Sequence, residues 1–320
     1  MPIEFKYGMD QEYWDWSPMI NRPVLRWPNG AKLAVCLLVD LGHYEWKPPE
    51  GTFDPPTHTP PHSMNPYPDY VTVTHREYGH RVGIFRMMEV LDSYGVKATV
   101  PMDAYTAEHY PQLVEECQCR NWELIGHGIT QRQAISSRMS EEQEREYIAR
   151  SIDALRKATG KAPIGWLSPE HSQSTRTPDL LAEMEIRFCC DFPNDEQPYR
   201  IHTATGEIYA LPCMIEIGDT MGHYNRKLPL QRWVQMVEET VDVMLLDSED
   251  TGLLLSFRLH PWCMGQPYRI KYLEQIIAHM VNRRGVWIAT GSQIIDWYRT
   301  QPHASFRPQR PAAMRRQYDR

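Results

Sequence analysis

From residue 30 onward the chain alternates short apolar runs with segments of helical periodicity, and no other feature of the sequence restricts its fold as much. Strands are expected at 32–40, 97–102, 123–126, 164–167, 187–191, 208–217, 253–259 and 286–289. Most of these runs are apolar throughout, which suits strands of a parallel sheet covered on both faces. Between them, Val82, Phe85, Met88 and Leu91 repeat at helical spacing within an expected helix over 78–94. Ser140 and Gln143 form an expected capping box, Ile148, Ile152 and Leu155 continue as a stripe, and Gly160 closes that helix. Trp233, Val237, Val241 and Met244 line up after Pro229, and Tyr272, Ile276 and Met280 before Gly285. Such stripes are core packing, so the pattern reads as βα units around a parallel sheet.

With 320 residues and no internal repeat or low-complexity linker, one large barrel accounts for the chain. Its expected organisation is an N-terminal extension over 1–24, the barrel over 25–300 and a tail over 301–320. The segment 46–75 contains eight prolines and is expected as an irregular insertion arching over the barrel mouth. A net charge of −7 argues against a phosphate-binding surface, hence against a nucleic-acid partner. No run approaches the roughly 20 apolar residues that span a bilayer, and residues 1–10 lack the apolar core of a secretory signal. The seven cysteines match neither a zinc knuckle nor a disulfide framework. Cys36, Cys189, Cys190 and Cys213 lie in apolar runs, as small hydrophobes of a cytoplasmic protein with free thiols. The basic tail (Arg307, Arg310, Arg315, Arg316, Arg320) reads as a solvated or subunit-docked end.

In parallel barrels, catalytic groups collect where strands end, because the strand interiors are packed. The first expected strand ends at Asp40, followed by His43 and Glu45; the third runs into His127 and Gln131. The fourth leads to Ser168 and Glu170, the fifth to Asp191, Asp195 and Glu196, the sixth to Glu216 and Asp219, and the seventh to His260. Asp40, His127 and His260 each terminate a strand at the same rim and are the candidate catalytic trio. His43, His58, His62, His75 and His80, in or beside the insertion, are expected to serve as surface or hydrogen-bonding residues.

Six segments, in order, resemble the polysaccharide deacetylase family, especially the branch acting on small amides, cyclic imides and allantoin. They are VDLGHYE (39–45), REYGHRVG (76–83), WELIGHG (122–128), GWLSPE (165–170), DFPNDEQPY (191–199) and HPWCMGQP (260–267). The resemblance implies a distorted (β/α) barrel of seven or eight strands with its site at the strand C-termini. It also implies, for metal-dependent members, a divalent ion held by an Asp after strand one and two His spaced H-x-x-x-H. Here His127 fills the first histidine position, but the second is Gln131. The two family aspartates fall on Asp40 and on Leu41 or Gly42, and the usual Arg of the strand-four motif falls on Leu167, leaving Asp191 without that partner. No metal of the family type is therefore expected; an ion such as zinc would have only Asp40 and His127.

These readings lead to a hydrolase of a C–N bond in a small amide, ureide or cyclic imide, metal-independent or only weakly metal-dependent and with no other cofactor. Asp40 is expected as general base or as the group orienting water, His127 at the oxyanion, and His260 as the acid at the leaving nitrogen. Gln131, Ser168, Glu170, Asp195 and Trp166 are expected to contact the substrate. Three rivals stand beside this: a metal-dependent N-deacetylase of sugars, in carbohydrate metabolism; a lactone or C–C hydrolase or an elimination on the same rim, with Cys190 as a conceivable nucleophile; and a non-catalytic binding protein. The resemblance implies a homo-oligomer, dimer or tetramer, with a small-molecule substrate as the other partner.

Overall fold

The computed structural model describes residues 10–50 and 69–301. Within them nine strands form one curled sheet: β1 Leu33–Val39, β2 Thr99–Met102, β3 Glu123–Gly126, β4 Gly165–Trp166, β5 Phe188–Cys189, β6 Tyr199–Ile201, β7 Ile208–Ala210, β8 Leu253–Leu259 and β9 Val286–Ile288. The order is β6-β7-β5-β4-β3-β2-β1-β8, parallel except for the β6–β7 pair, with β9 also on β1. Pairing with β8 occupies one edge of β1 along its whole length. The other edge is shared: Leu33, Ala34 and Val35 pair with β9, and Leu38 pairs with β2. The gap between β8 and the β5–β7 side is bridged by irregular backbone. Leu254 N–H donates to Glu196 O, Met214 N–H to Ser256 O, and the Ser256 hydroxyl to Pro212 O. The result is a distorted barrel with helices packed around it.

Period-two geometry sorts the side chains of each strand onto two faces. On β1, Leu33, Val35, Leu37 and Val39 pack outward against helices, while Ala34, Cys36 and Leu38 face the barrel interior with Leu167, Phe188, Cys190 and Cys213. On β8, Leu253, Leu255, Phe257 and Leu259 point outward and Leu254 inward. Both faces are buried, which is why these runs are apolar throughout. The same parity carried past the strand ends directs Asp40, Arg258 and His260 inward at the carboxyl rim.

The capping box of Ser140 and Gln143 begins helix Glu141–Thr159, and Gly160 ends it at φ 78°. Two expected elements differ. The 208–217 run is a strand only over Ile208–Ala210, because Pro212 cannot donate to a ladder. The helix expected over 78–94 begins earlier, at Tyr70, so the insertion does not stay irregular to residue 75. Asp69 follows Pro68, and its side chain accepts from Thr72 N at 3.1 Å, which starts the helix there. The helix runs Tyr70–Tyr78, widens into a π-turn over Gly79–Gly83 and continues as Ile84–Ser93. Residues 51–68 of the insertion, with His58 and His62, and the tail from 302 on lie outside the described residues. No helix among the described residues is long and apolar enough to cross a membrane.

Candidate active site

At the carboxyl rim a cleft is lined by Asp40, Arg76, Gln131, Glu170, Arg258 and His260, with Gly42, Tyr44, Gly79, His80, Pro261 and Trp262 completing its wall. Asp40 and His260 of the expected catalytic trio line it, while His127 lies fully buried behind Asp40, and each is held by a neighbour.

Arg258 donates from Nε to Asp40 Oδ2 at 2.7 Å, and its Nη2 also contacts that oxygen. Gln131 Nε2 donates to Asp40 Oδ1 at 3.0 Å and faces His127 Nε2 at 2.6 Å. His127 Nδ1 donates to Leu167 O at 2.5 Å. Its Nε2 is therefore the acceptor for the N–H groups of Gln131 and Arg258, the latter 3.2 Å away. Gly42 makes room for this arrangement, since a Cβ there would lie 1.8 Å from Gln131 Nε2. Burial alone would raise the Asp40 carboxyl, but the charge of Arg258 outweighs it and holds the group well below the usual carboxylate range. A carboxylate in that state is a poor general base; it anchors Arg258.

These residues do not fit the divalent metal that the resemblance implies. The lone pairs of Asp40 and His127 are already taken up by a guanidinium and an amide. A cation bound there would have to displace or sit beside the positive charge of Arg258. Among the described residues no group of three His, Cys, Asp or Glu side chains could hold a metal ion.

His260 is held from behind. Its Nδ1 lies 2.7 Å from Asp219 Oδ1, and its backbone N–H donates to Asp219 Oδ2 at 2.7 Å. Asp219 is fully buried at the start of the π-turn Asp219–Asn225. The dyad fixes the tautomer and leaves Nε2 as the ring nitrogen open to the cleft. His80 lines the same cleft, and burial pushes its pKa down to about 4, so it stands neutral.

Of the expected substrate contacts, Gln131 and Glu170 line the cleft. Glu170 and His171 both adopt φ 54°, a left-handed turn that brings the loop after β4 to the rim. Three expectations are corrected. Trp166 has the outward parity on β4, is fully buried against the outer helices and donates its indole N–H to Ser168 Oγ at 2.8 Å. Ser168 is buried beneath the cleft, where its N–H and hydroxyl donate to Asp191 at 2.7 and 3.1 Å. With Gln173 Nε2 at 2.5 Å, it replaces the missing arginine partner, and burial leaves Asp191 raised to about 6. Asp195 turns away to Arg22, which donates to its two oxygens at 2.6 and 2.5 Å. Cys190 is fully buried in the barrel interior and its thiol is pushed well up, so it is no nucleophile.

Sequence reasoning missed Arg258, Arg76, Trp262 and the cleft position of His80. Arg258 had a visible signal: a charge inside the apolar run LLLSFRLH, two residues before His260 and so on its face. Arg76, Trp262 and His80 carried none outside their motifs. They meet only because the π-turn Gly79–Gly83 packs directly on the turn 261–265. A Cβ on Gly83 would lie 2.1 Å from Pro261 O, and one on Gly79 2.7 Å from Trp262 N. His43 stacks on Tyr105 with centroids 4.1 Å apart, and His75 meets the Trp262 ring edge-on.

Comparison with known proteins accords with this architecture. Residues 72–189 match the profile of the polysaccharide deacetylase family. A Schizosaccharomyces pombe protein, carrying the provisional description polysaccharide deacetylase, is 24% identical over 306 residues, covering 87% of this chain and 93% of its own. The crystal structure of PuuE allantoinase superposes with a TM-score of 0.77 at 20% identity, covering 94% of this chain and 100% of that one. A Mycobacterium smegmatis structure, provisionally described as a polysaccharide deacetylase, gives 0.73 at 25% identity over 89% of this chain and 97% of its own.

Proposed function

We propose that this chain, whose residues 72–189 match the polysaccharide deacetylase family, is a hydrolase that cleaves a C–N bond of a small amide, ureide or cyclic imide without a catalytic metal. The observation that carries the reading is the pairing of an Asp219-held His260 with a guanidinium, Arg258, where the resemblance would put a metal. In this reading His260 Nε2 takes a proton from the attacking water as its oxygen adds to the carbonyl carbon. The oxyanion that forms is stabilised by Arg258 Nη1, which makes no hydrogen bond to a described residue. The C–N bond then breaks, and the nitrogen leaves with the proton that His260 returns. Asp40 and His127 keep the guanidinium in place, and Asp219 keeps the imidazole in one orientation.

The name of one relative favours a second reading. A peptidoglycan deacetylase of Helicobacter pylori is 22% identical over 263 residues, so N-deacetylation of an amino sugar stands as the alternative. A panel of amides, ureides, cyclic imides and N-acetyl sugar oligomers, read by amine, ammonia or acetate release with and without EDTA, separates the two. Turnover of a small amide or imide that survives EDTA and is lost in His260→Ala supports the first reading. Stoichiometric zinc with activity abolished by chelation overturns it.

A further inference from the structure

The guanidinium of Arg76 enters the cleft with a buried nitrogen that no described residue satisfies. It projects from helix Tyr70–Tyr78 into the cleft and sits over the Trp262 ring, with Cζ 3.5 Å from the ring centroid. Its Nη1 is buried and has no hydrogen-bond partner, and no ion pair joins Arg76 to any described residue. Arg258, the other guanidinium of the cleft, is matched by Asp40. A buried donor left unmade is costly, and a charged one more so. Such a group persists where a ligand supplies the acceptor.

The site is also built. Gly79 and Gly83 seat the helix against the backbone of Pro261 and Trp262, and Arg86 Nη1 donates to Gly265 O at 3.1 Å. Trp262 is walled by Tyr224 edge-on, with centroids 5.2 Å apart. Stacking therefore fixes the plane of the Arg76 fork before any ligand arrives, the condition for bidentate pairing with a planar anion. The Trp262 ring lies 5.7 Å from the His260 ring, centroid to centroid, so a group on Arg76 and a bond at His260 belong to one small molecule.

Resting on the reading of this cleft as the hydrolytic site, we propose that Arg76 anchors a carboxylate, and that the substrate is a small amide, ureide or imide bearing one. Glu170 lines the same cleft and its charge acts on both Arg76 and Arg258, so it disfavours a second anionic group beside the first. The remaining polar atoms of such a substrate are then the neutral ones at His260 and Arg258.

The test is calorimetric binding of succinate and of its neutral diamide, succinamide, to the full chain. Succinate is expected to bind at least ten times more tightly than succinamide. Arg76→Gln is expected to erase that preference, and Arg76→Lys, which keeps the charge but not the fork, to leave several-fold of it. Equal affinity for the two probes, no succinate binding, or a preference that survives Arg76→Gln overturns the proposal. If Arg76→Gln loses its native circular dichroism, Arg76→Lys decides: unchanged succinate affinity overturns, several-fold weakening supports. Succinate has no C–N bond, so its binding is read whether or not the chain hydrolyses amides, and the failure of either reading is visible separately.

Discussion

At the scale of single residues, the cleft is governed by two buried pairs. In the first, Asp40 and Arg258 are nearly inaccessible, with side-chain exposures of 4% and 12%. Removing one partner strands the other. Arg258→Met is expected to cost about 3–5 kcal/mol in urea unfolding, and much of that should return in the double variant Asp40→Asn/Arg258→Met. Loss of less than about 1 kcal/mol in the single variant would show the pair to be well solvated. In the second pair, Asp219→Asn removes the acceptor that orients His260. We expect kcat to fall by about 10²–10⁴-fold with little change in melting temperature. Unchanged kcat would remove His260 from the chemistry. Asp40, His127 and His260 were legible in the sequence because each ends a strand on its inward parity. Arg258 obeys the same parity, and its charge within the apolar run 253–259 is the signal that marks it.

Among elements, the contact between the π-turn Gly79–Gly83 and the turn after β8 sets the geometry of Arg76, Trp262 and His260 together. A methyl group on Gly83 cannot be accommodated without moving Pro261. Gly83→Ala should therefore lower stability by roughly 1–3 kcal/mol and kcat/KM by more than tenfold, read by thermal melting and steady-state kinetics on one preparation. A melting temperature and kcat/KM equal to wild type would show that the turns part freely. This contact was not legible from periodicity. Residues 79–83 read as ordinary helix, and nothing in a single sequence says that glycines four apart face a backbone some 180 positions later. The resemblance did name both segments, REYGHRVG and HPWCMGQP, without joining them. Trp166 shows the opposite case: expected at the substrate, it lies within its strand, and strand parity sends it to the outer layer.

For the whole molecule, buried titratable groups make stability depend on pH in opposed directions. Burial holds His80 at about 4, while the unfolded chain protonates that imidazole near 6.5. Between these values the unfolded state binds the extra proton, so His80 costs stability as pH falls. Asp191, raised to about 6 by burial, keeps a proton that the unfolded chain has lost above about 4, so it costs stability as pH rises. Urea midpoints compared with wild type should thus show His80→Gln gaining as pH drops from 6.5 to 4.5. Asp191→Asn should gain as pH climbs from 4.5 to 6.5. Parallel offsets at every pH would contradict both assignments.

The divided edge of β1 has a consequence for synthesis. This strand is translated first, yet one of its edges waits for residues 253–259 and part of the other for residues 286–288. At roughly 5–20 residues per second, a wholly apolar strand keeps one edge unpaired during synthesis for on the order of ten to fifty seconds. The order of the strands in the chain thus leaves this apolar edge exposed until synthesis is nearly finished.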